Sequence, residues 1–591
     1  ARRILPALAA VIAACFFAGW FFLLPDEMAT LGKNSIAAIA FLSNVAFWWS
    51  ANDYFAESVA LQPLLHTWSL SVEEQFYLFF PILLWFLAKF SRSTLLVVIA
   101  ALCGLSFAAS IWATTHAPTA NFYLIFFRIW ELGFGSLLAL TQTNLPRLRS
   151  AREVGSAAGA AMIIASILLI DETTPFPGLA ALPACFGSTL LIWAGSAREG
   201  ERLPLFNRIL ALKPLVGIGL ISYSLYLWHW PILVAARIYF NSITIPIGAA
   251  IVCIALSVLL SWLSWRYVEQ PFRGGRGRPE LSRKQIFTWS AASMAALGAV
   301  SAAMLFTKGL PARLGDEVAA KYVADSSRSP REIECINRSP DDEPCHLGNQ
   351  LREQVDYVLW GDSHAGSLIP GLERFVSERG LTAVTFSKSA CAPLPGIVRL
   401  DKEGDHDCDG HNRAVLNRIL EDYPDAEVLL AGRWALLAEG ERYAGEEGSH
   451  PVISRVDRIE VARSTYPELV GEGLENAIEP LLAAGHRITV VKGIPEMGFD
   501  VPGTIARNAW LGWDMPSVSS AEFKIRQERA NAVLDSGSVT FVDPANYLCT
   551  DTCAYVREGK ALYRDDDHLS VYAARWLLPL LLDESGAGQA N

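Results

Sequence analysis

Apolar and polar positions follow two different rhythms on either side of Thr307. Up to that point the chain is a series of long apolar runs, at 4–24, 69–88, 94–114, 121–141, 154–170, 178–196, 214–236, 245–265 and 286–306. Each is long enough to cross a bilayer as a helix. A further run from Asn34 to Trp49 is marginal in length. After Thr307 the runs shorten. From Val355 they predict strands at 355–360, 382–386, 426–431, 487–493 and 538–543, with helices at 366–378, 411–421, 467–484 and 571–583. Strands alternating with helices predict a parallel sheet covered on both faces. Active sites of such folds gather at the carboxyl ends of the strands. The expected architecture is therefore a multi-span α-helical membrane domain followed by a soluble α/β domain. The expected boundaries are a membrane domain over 1–285, an additional transmembrane helix over 286–307, a linker and extension over 308–354, and the α/β domain over 355–591.

Composition agrees with this division. The chain is 52% hydrophobic and 18% charged, against about a quarter charged in soluble domains, and its mean hydropathy is +0.28. The net charge of -11 comes mostly from the second half, which argues against a nucleic-acid partner. Lys and Arg settle the orientation. If Asn34–Trp49 dips into the membrane and returns, or lies in the interface, basic connectors such as Lys89/Arg92 and 266–284 fall inside and those with almost no positive charge fall outside, as the positive-inside rule requires. The number of crossings is then odd, and the soluble half lies outside the cytoplasm.

The cysteines support that independently. Cys15, Cys103, Cys185 and Cys253 lie in apolar runs, whereas the other six form close pairs in the soluble half: Cys335 with Cys345, Cys391 with Cys408, and Cys549 with Cys553. Local pairing in a polar domain points to disulfides and an oxidising compartment. Metal binding is the rival, because residues 405–411 read Asp-His-Asp-Cys-Asp-Gly-His, but they lack a zinc spacing and no metal is expected.

Polar residues inside or beside the spans are costly there and mark function. They include His66, Ser69, Glu73, Gln75 and Tyr77 in one segment, Arg128 with Glu131, His229 in a Leu-Trp-His-Trp-Pro box, and Glu269 in Val-Glu-Gln-Pro-Phe. Together with Arg-Arg-Ile-Leu-Pro-Ala at 2–7, these segments resemble the membrane acyltransferase-3 family, whose members O-acylate extracytoplasmic glycans. The resemblance implies a cytoplasmic acyl-CoA donor, usually acetyl-CoA, with no tightly bound cofactor, and makes these residues acyl-transfer candidates. Arg2 or Arg3 resembles the last arginine of the family's Arg-x-x-Arg motif. The motif's first arginine and an essential histidine would precede Ala1, so an N-terminal piece carrying part of the acyltransferase site is expected to be missing.

In the soluble half, Tyr357-Val358-Leu359-Trp360-Gly361-Asp362-Ser363 reads as a strand, a glycine turn and a serine at the opening of a helix. The first turn of a helix presents unpaired N–H groups, so Ser363 can be both nucleophile and oxyanion donor. Asp565-Asp566-Asp567-His568 precedes the last predicted helix. By its Asp-x-x-His spacing Asp565 is expected to orient His568, the base that a serine needs, with Asp566 and Asp567 as turn or capping residues. This order resembles SGNH hydrolases and acyltransferases over about 355–583, a resemblance that implies a flavodoxin-like α/β fold. One block departs from the family: Leu430-Ala431-Gly432-Arg433-Trp434 lacks the oxyanion asparagine, and a substitute from Gly432 or Arg433 is expected.

The fused arrangement resembles proteins that acetylate lipopolysaccharide O-antigen or related surface polysaccharide. It implies a protein of the bacterial inner membrane with its SGNH domain in the periplasm, acting on a lipid-linked or surface polysaccharide. A glycan acetyl esterase, or a glycan exporter with a binding module, are the alternatives.

Overall fold

The computed structural model describes residues 4–51, 59–141, 148–171, 174–196, 201–273, 282–349, 351–352, 354–401, 407–443, 446, 450–459, 461–534 and 539–584. They form two compact units, one of residues 1–240 and 245–310 and one containing 311–591.

The first unit is all helix. Among the described residues eight helices are long and apolar enough to cross a membrane: Leu5–Phe22, Thr67–Leu87, Arg92–His116, Arg149–Leu169, Gly178–Gly195, Lys213–Phe240, Ile247–Phe272 and Lys284–Phe306. The run expected as a ninth span over 121–141, on which the odd number of crossings rests, is instead broken into Pro118–Tyr123, a 3-10 turn at Ile125–Phe127, and Ile129–Thr141. Polar side chains hold the break. Arg128 Nε donates to the Phe122 carbonyl at 3.1 Å and Ser106 Oγ to the Phe126 carbonyl at 2.7 Å, so the carbonyls freed by the break keep partners, as they must in lipid. The marginal Asn34–Trp49 run is also broken, into the ends of Pro25–Ile39 and Ser43–Ala51. Phe41 turns between them with φ +53°, and Gln75 Nε2 caps its carbonyl at 2.9 Å. A helix of 15 residues rises about 22 Å, short of the roughly 30 Å hydrocarbon core.

The second unit is built on a six-stranded sheet: β1 (Cys345–Gly348), β2 (Tyr357–Gly361), β3 (Thr382–Ser387), β4 (Glu427–Ala431), β5 (Ile488–Val491) and β6 (Thr540–Val542), in the order β1-β3-β2-β4-β5-β6. β1 is antiparallel to β3, and the other pairs are parallel. Strand residues alternate between faces. Tyr357 and Leu359 join one core with Leu368, Leu372 and Leu577, from helices Ser363–Arg379 and Val571–Glu584. Val358 and Trp360 join the other with Val415, Leu469 and Ala530, from helices Cys408–Asp422, Tyr466–Ala483 and Ser520–Leu534. A sheet buried on both faces needs apolar residues at every position. That is why the strands were legible as continuous apolar runs.

The segment expected as linker and extension over 308–354 carries structure of its own. It supplies Asp316–Ser326, Pro330–Cys335 and the edge strand β1, and Cys335-Cys345 ties the second of these helices to β1. Cys391-Cys408 and Cys549-Cys553 are also joined.

Helices Ser363–Arg379 and Val571–Glu584 meet closely at Gly371, where a Cβ would press on the Ala574 carbonyl and, at 2.9 Å, on Leu578 Cβ. Gly371→Val is expected to destabilise this unit by about 3 kcal/mol, because an overpacked contact between backbones cannot relax; thermal unfolding checks it.

Candidate active site

β2 ends at Gly361, and its glycine is forced: a Cβ there would run into the Ala431 carbonyl of β4. Asp362 then caps the helix that begins at Ser363, its Oδ1 accepting the His364 N–H at 2.8 Å and its Oδ2 the Arg433 N–H at 2.9 Å. The cap sets Ser363 as the first helical residue, at the carboxyl edge of the sheet.

The second part of the site comes from the loop before Val571–Glu584. Tyr563 bridges Leu569 in antiparallel fashion, and the Arg564 N–H donates to the His568 carbonyl at 3.0 Å, closing the loop. Asp565 Oδ1 accepts the N–H groups of Asp567 (3.1 Å) and His568 (2.7 Å). Neighbouring backbone holds the outside of the loop, with Met497 N–H donating to the Asp566 carbonyl (2.8 Å) and Val501 N–H to that of Asp565 (3.2 Å). His568 Nε2 thereby stands 2.8 Å from Ser363 Oγ, and its Nδ1 stands 2.9 Å from Asp565 Oδ2. Ser363, His568 and Asp565 come from two distant parts of the chain and form one hydrogen-bonded series. Ser363 is 2% exposed and His568 8%.

Two expectations for the site need correction. Asp567 does more than shape the turn. It is buried, with Oδ1 2.6 Å from His568 Nδ1 and Oδ2 2.7 Å from Arg433 Nη1. Arg433 is not placed to serve an oxyanion. Its N–H is taken by Asp362, and its guanidinium is divided among Asp567, Glu496 and Glu446. Residues 407–411 of the ligand-rich stretch hold structure together: Asp407 caps its helix by accepting the Gly410 N–H at 2.9 Å, and Asp409 accepts that of Gly396 at 2.6 Å. Asp405 and His406 lie outside the described residues. Gly432 packs at the end of β4, where a Cβ would meet Ala392 at 3.3 Å, and remains a candidate donor with Ser363. In the loop after β3, Ala390 has φ +61°, a left-handed conformation that glycine favours.

The charges follow from this packing. Burial by itself disfavours the imidazolium of His568, but Asp565 and Asp567 outweigh it and hold its pKa well above the ordinary value. Burial works against the Asp567 carboxylate too, yet Arg433 and His568 keep it ionised far below the usual range. Burial and the neighbouring Asp567 push Asp566 well up.

Sequence reasoning also missed Glu332, in the segment before β1. Its side chain is 1% exposed and pairs with Arg564 at 2.6 Å and with Arg328 at 3.0 Å. The bulk of Arg564 beside an acidic loop was the only signal available.

In the membrane unit the expected residues fall into separate groups. His66 packs its ring against Tyr226 and His229, at 5.2 and 5.7 Å between centroids. Tyr226 donates to the His66 carbonyl and is 2.7 Å from Ser69 Oγ. Among many aromatic residues in the spans, nothing in the sequence marks Tyr226 for this place. Arg128 pairs with Glu131 at 2.7 Å beneath the rings of Trp68, Phe122 and Phe176. Glu269 is buried and accepts from Ser224. Gln75 is tied to Asn44 and to the Phe41 carbonyl, a bracing role. Glu73 and Tyr77 are exposed on their helix, and Glu73 lies one turn after Ser69 on the same helical face. Arg2 and Arg3 lie outside the described residues.

Residues 1–266 match the family described as "Acyltransferase domain". Residues 332–583 match "SGNH domain (fused to AT3 domains)". The chain joins an acyltransferase-3 domain to an SGNH domain. Among curated proteins it is 30% identical over 264 residues to "O-acetyltransferase OatA" of Staphylococcus aureus (strain NCTC 8325 / PS 47), covering 42% of each. It is 32% identical over 273 residues to "Putative membrane-bound transacylase BcsY" of Komagataeibacter xylinus, covering 45% of this chain and 66% of that protein. It is 30% identical over 288 residues to "Peptidoglycan O-acetyltransferase OatA" of Listeria monocytogenes serovar 1/2a (strain ATCC BAA-679 / EGD-e), covering 46% of this chain and 45% of that protein. The chain thus spans less than half the length of these OatA relatives. Its SGNH domain is the unit that holds Ser363, Asp565 and His568.

Proposed function

We propose that the protein is a membrane O-acetyltransferase that moves an acetyl group from cytoplasmic acetyl-CoA through its acyltransferase-3 domain onto a hydroxyl of a cell-envelope polysaccharide. The observation that carries this is the series Asp565, His568, Ser363 in a domain fused to an acyltransferase domain. The relatives' names support the reaction class. In the proposed mechanism the Ser363 proton passes to His568 Nε2 as Oγ attacks the acyl carbonyl, and the departing carrier takes the proton up. A sugar hydroxyl then attacks the acetyl-serine, giving its proton to His568, and Ser363 is restored. Asp565 keeps His568 in the required tautomer. The SGNH domain works on the periplasmic side of the bacterial inner membrane, in line with its three disulfides.

The finer reading of the acceptor is lipopolysaccharide O-antigen; peptidoglycan, named for the Listeria relative, is its rival. Expression of the whole protein in a host without it, followed by mass spectrometry of ester-linked acetate on each purified polysaccharide, tests both. A gain on one polymer is expected. A loss of existing acetate would make the protein an esterase, and no change on any polymer would refute the assignment.

The charge on His568 sets a pH dependence. Only the neutral imidazole can accept the serine proton, and Asp565 and Asp567 raise its pKa above the ordinary 6.5. The rate of Ser363 acylation is therefore expected to fall as pH drops through a midpoint above 6.5. A pH–rate profile of acyl-enzyme formation checks the sign.

A further inference from the structure

Two carboxylates face His568 Nδ1, and they are differently placed. Asp565 is 40% exposed at its side chain and spends one oxygen on two backbone N–H groups of its own loop. Asp567 is 4% exposed and uses its second oxygen on groups from other elements. Arg433, at the end of β4, reaches it at 2.7 Å, and His364 Nε2, on the helix that Ser363 opens, stands 3.4 Å away. The His364 ring lies 4.8 Å from that of His568. Arg433 is fixed in turn by Glu496, which Arg526 also holds at 2.8 Å.

We propose that Asp567 is a positioning residue for His568: a second, buried carboxylate, anchored by Arg433 and His364, that supports the imidazolium formed when Ser363 gives up its proton. The inference deepens the acyl-transfer reading of this site and rests on it. A charge exposed to water contributes less than one shielded from it. Both carboxylates hold the His568 imidazolium: Asp565 shapes the loop and makes the directional hydrogen bond, and Asp567 adds a second charge that is shielded from water. The other charged groups around His568 are Arg564, 3.5 Å from Asp565, and Asp566, from its own loop. Glu446 and Glu496 stand behind Arg433. Arg433 thus occupies the asparagine block of the SGNH pattern in a different role, neutralising Asp567 without touching the oxyanion.

The test uses the full chain in detergent and p-nitrophenyl acetate. The Ser363 Oγ–acetyl bond forms as the ester C–O bond breaks, the serine proton goes to His568, and p-nitrophenolate leaves in a burst. Burst rates are measured across pH for the parent and for Asp565→Asn, Asp567→Asn, Asp567→Glu and Ser363→Ala. Losing the only orienting carboxylate of such a site costs about 10⁴-fold. With Asp567 in place, Asp565→Asn is expected to lose less than about 100-fold, well short of that full loss, and to retain an acid limb. Asp567→Asn is expected to move that limb about one pH unit lower, the size of a nearby opposite charge, and Asp567→Glu to restore it. If Asp565→Asn alone loses the full amount, about 10⁴-fold, and takes the acid limb with it, the proposal fails. That arm also decides the matter if Asp567→Asn does not fold. A burst that survives in Ser363→Ala overturns the acyl-transfer reading itself. A burst lost in Ser363→Ala with the two carboxylates in exchanged roles overturns this inference alone.

Discussion

Ser363→Ala is expected to lower acetyl transfer to the acceptor polysaccharide by on the order of 10⁶-fold, the cost of removing a serine nucleophile from a comparable triad, and so to background. The change deletes one oxygen and leaves the helix intact, because the N-cap is Asp362, whose bonds to His364 and Arg433 do not involve the serine side chain. Thermal unfolding of the variant should match the parent. Ester-linked acetate on the acceptor, measured by mass spectrometry in cells expressing each form at equal levels, reads the result. Acetate that persists at the parent's level would mean that the membrane domain acetylates the acceptor by itself.

Glu332→Ala should have the largest effect on stability, about 3–5 kcal/mol, because removing one partner of a buried ion pair leaves the other charge unsatisfied. Arg564 is 5% exposed and Glu332 1%. Without Glu332, Arg564 keeps only its longer contact with Asp565, at 3.5 Å, and the loop from Tyr563 to Leu569 opens with it. Denaturant unfolding gives the energy. Acylation of Ser363 should fall in parallel, since His568 rides on that loop. Glu373→Ala is the control: its pair with Arg331, at 3.4 Å, is 33% exposed on the acid side, and an exposed pair contributes less than about 1 kcal/mol. Equal losses in the two variants would show that Glu332 is no anchor of the site.

These predictions draw on different levels of the structure. The serine prediction was legible in the chain, because a strand, a glycine turn and a helix start are local events. Asp565 and His568 were legible for the same reason: a carboxylate three residues before a histidine can fold back on it within one turn. Glu332 was hidden. It lies in a stretch that reads as linker, 232 residues from Arg564, and nothing in its neighbours announces a buried partner. Ala390 was hidden as well, because a left-handed backbone at a residue other than glycine leaves no compositional mark.

In the membrane half, length and apolarity identified eight of the nine expected crossing helices. The run over 121–141 was apolar enough, but a hydropathy reading is blind to Ser106 and Arg128 capping carbonyls inside it. Gln75 shows the same limit. Polar and membrane-embedded, it looked like a transfer residue, and its amide instead holds Phe41 and Asn44.

The sequence by itself determined where the chain is membrane and where it is a covered parallel sheet, which cysteines pair, and which serine, histidine and aspartate meet. All of these rest on periodicity or on short spacing, which the chain carries locally. Only the tertiary structure decided which charges share a buried space: Asp567 behind His568, Arg433 turned toward acids and not toward an oxyanion, Glu332 beneath Arg564. The physical reason is that a charge's role depends on the dielectric around it and on the partner across from it. Both are set by elements that come from distant parts of the chain.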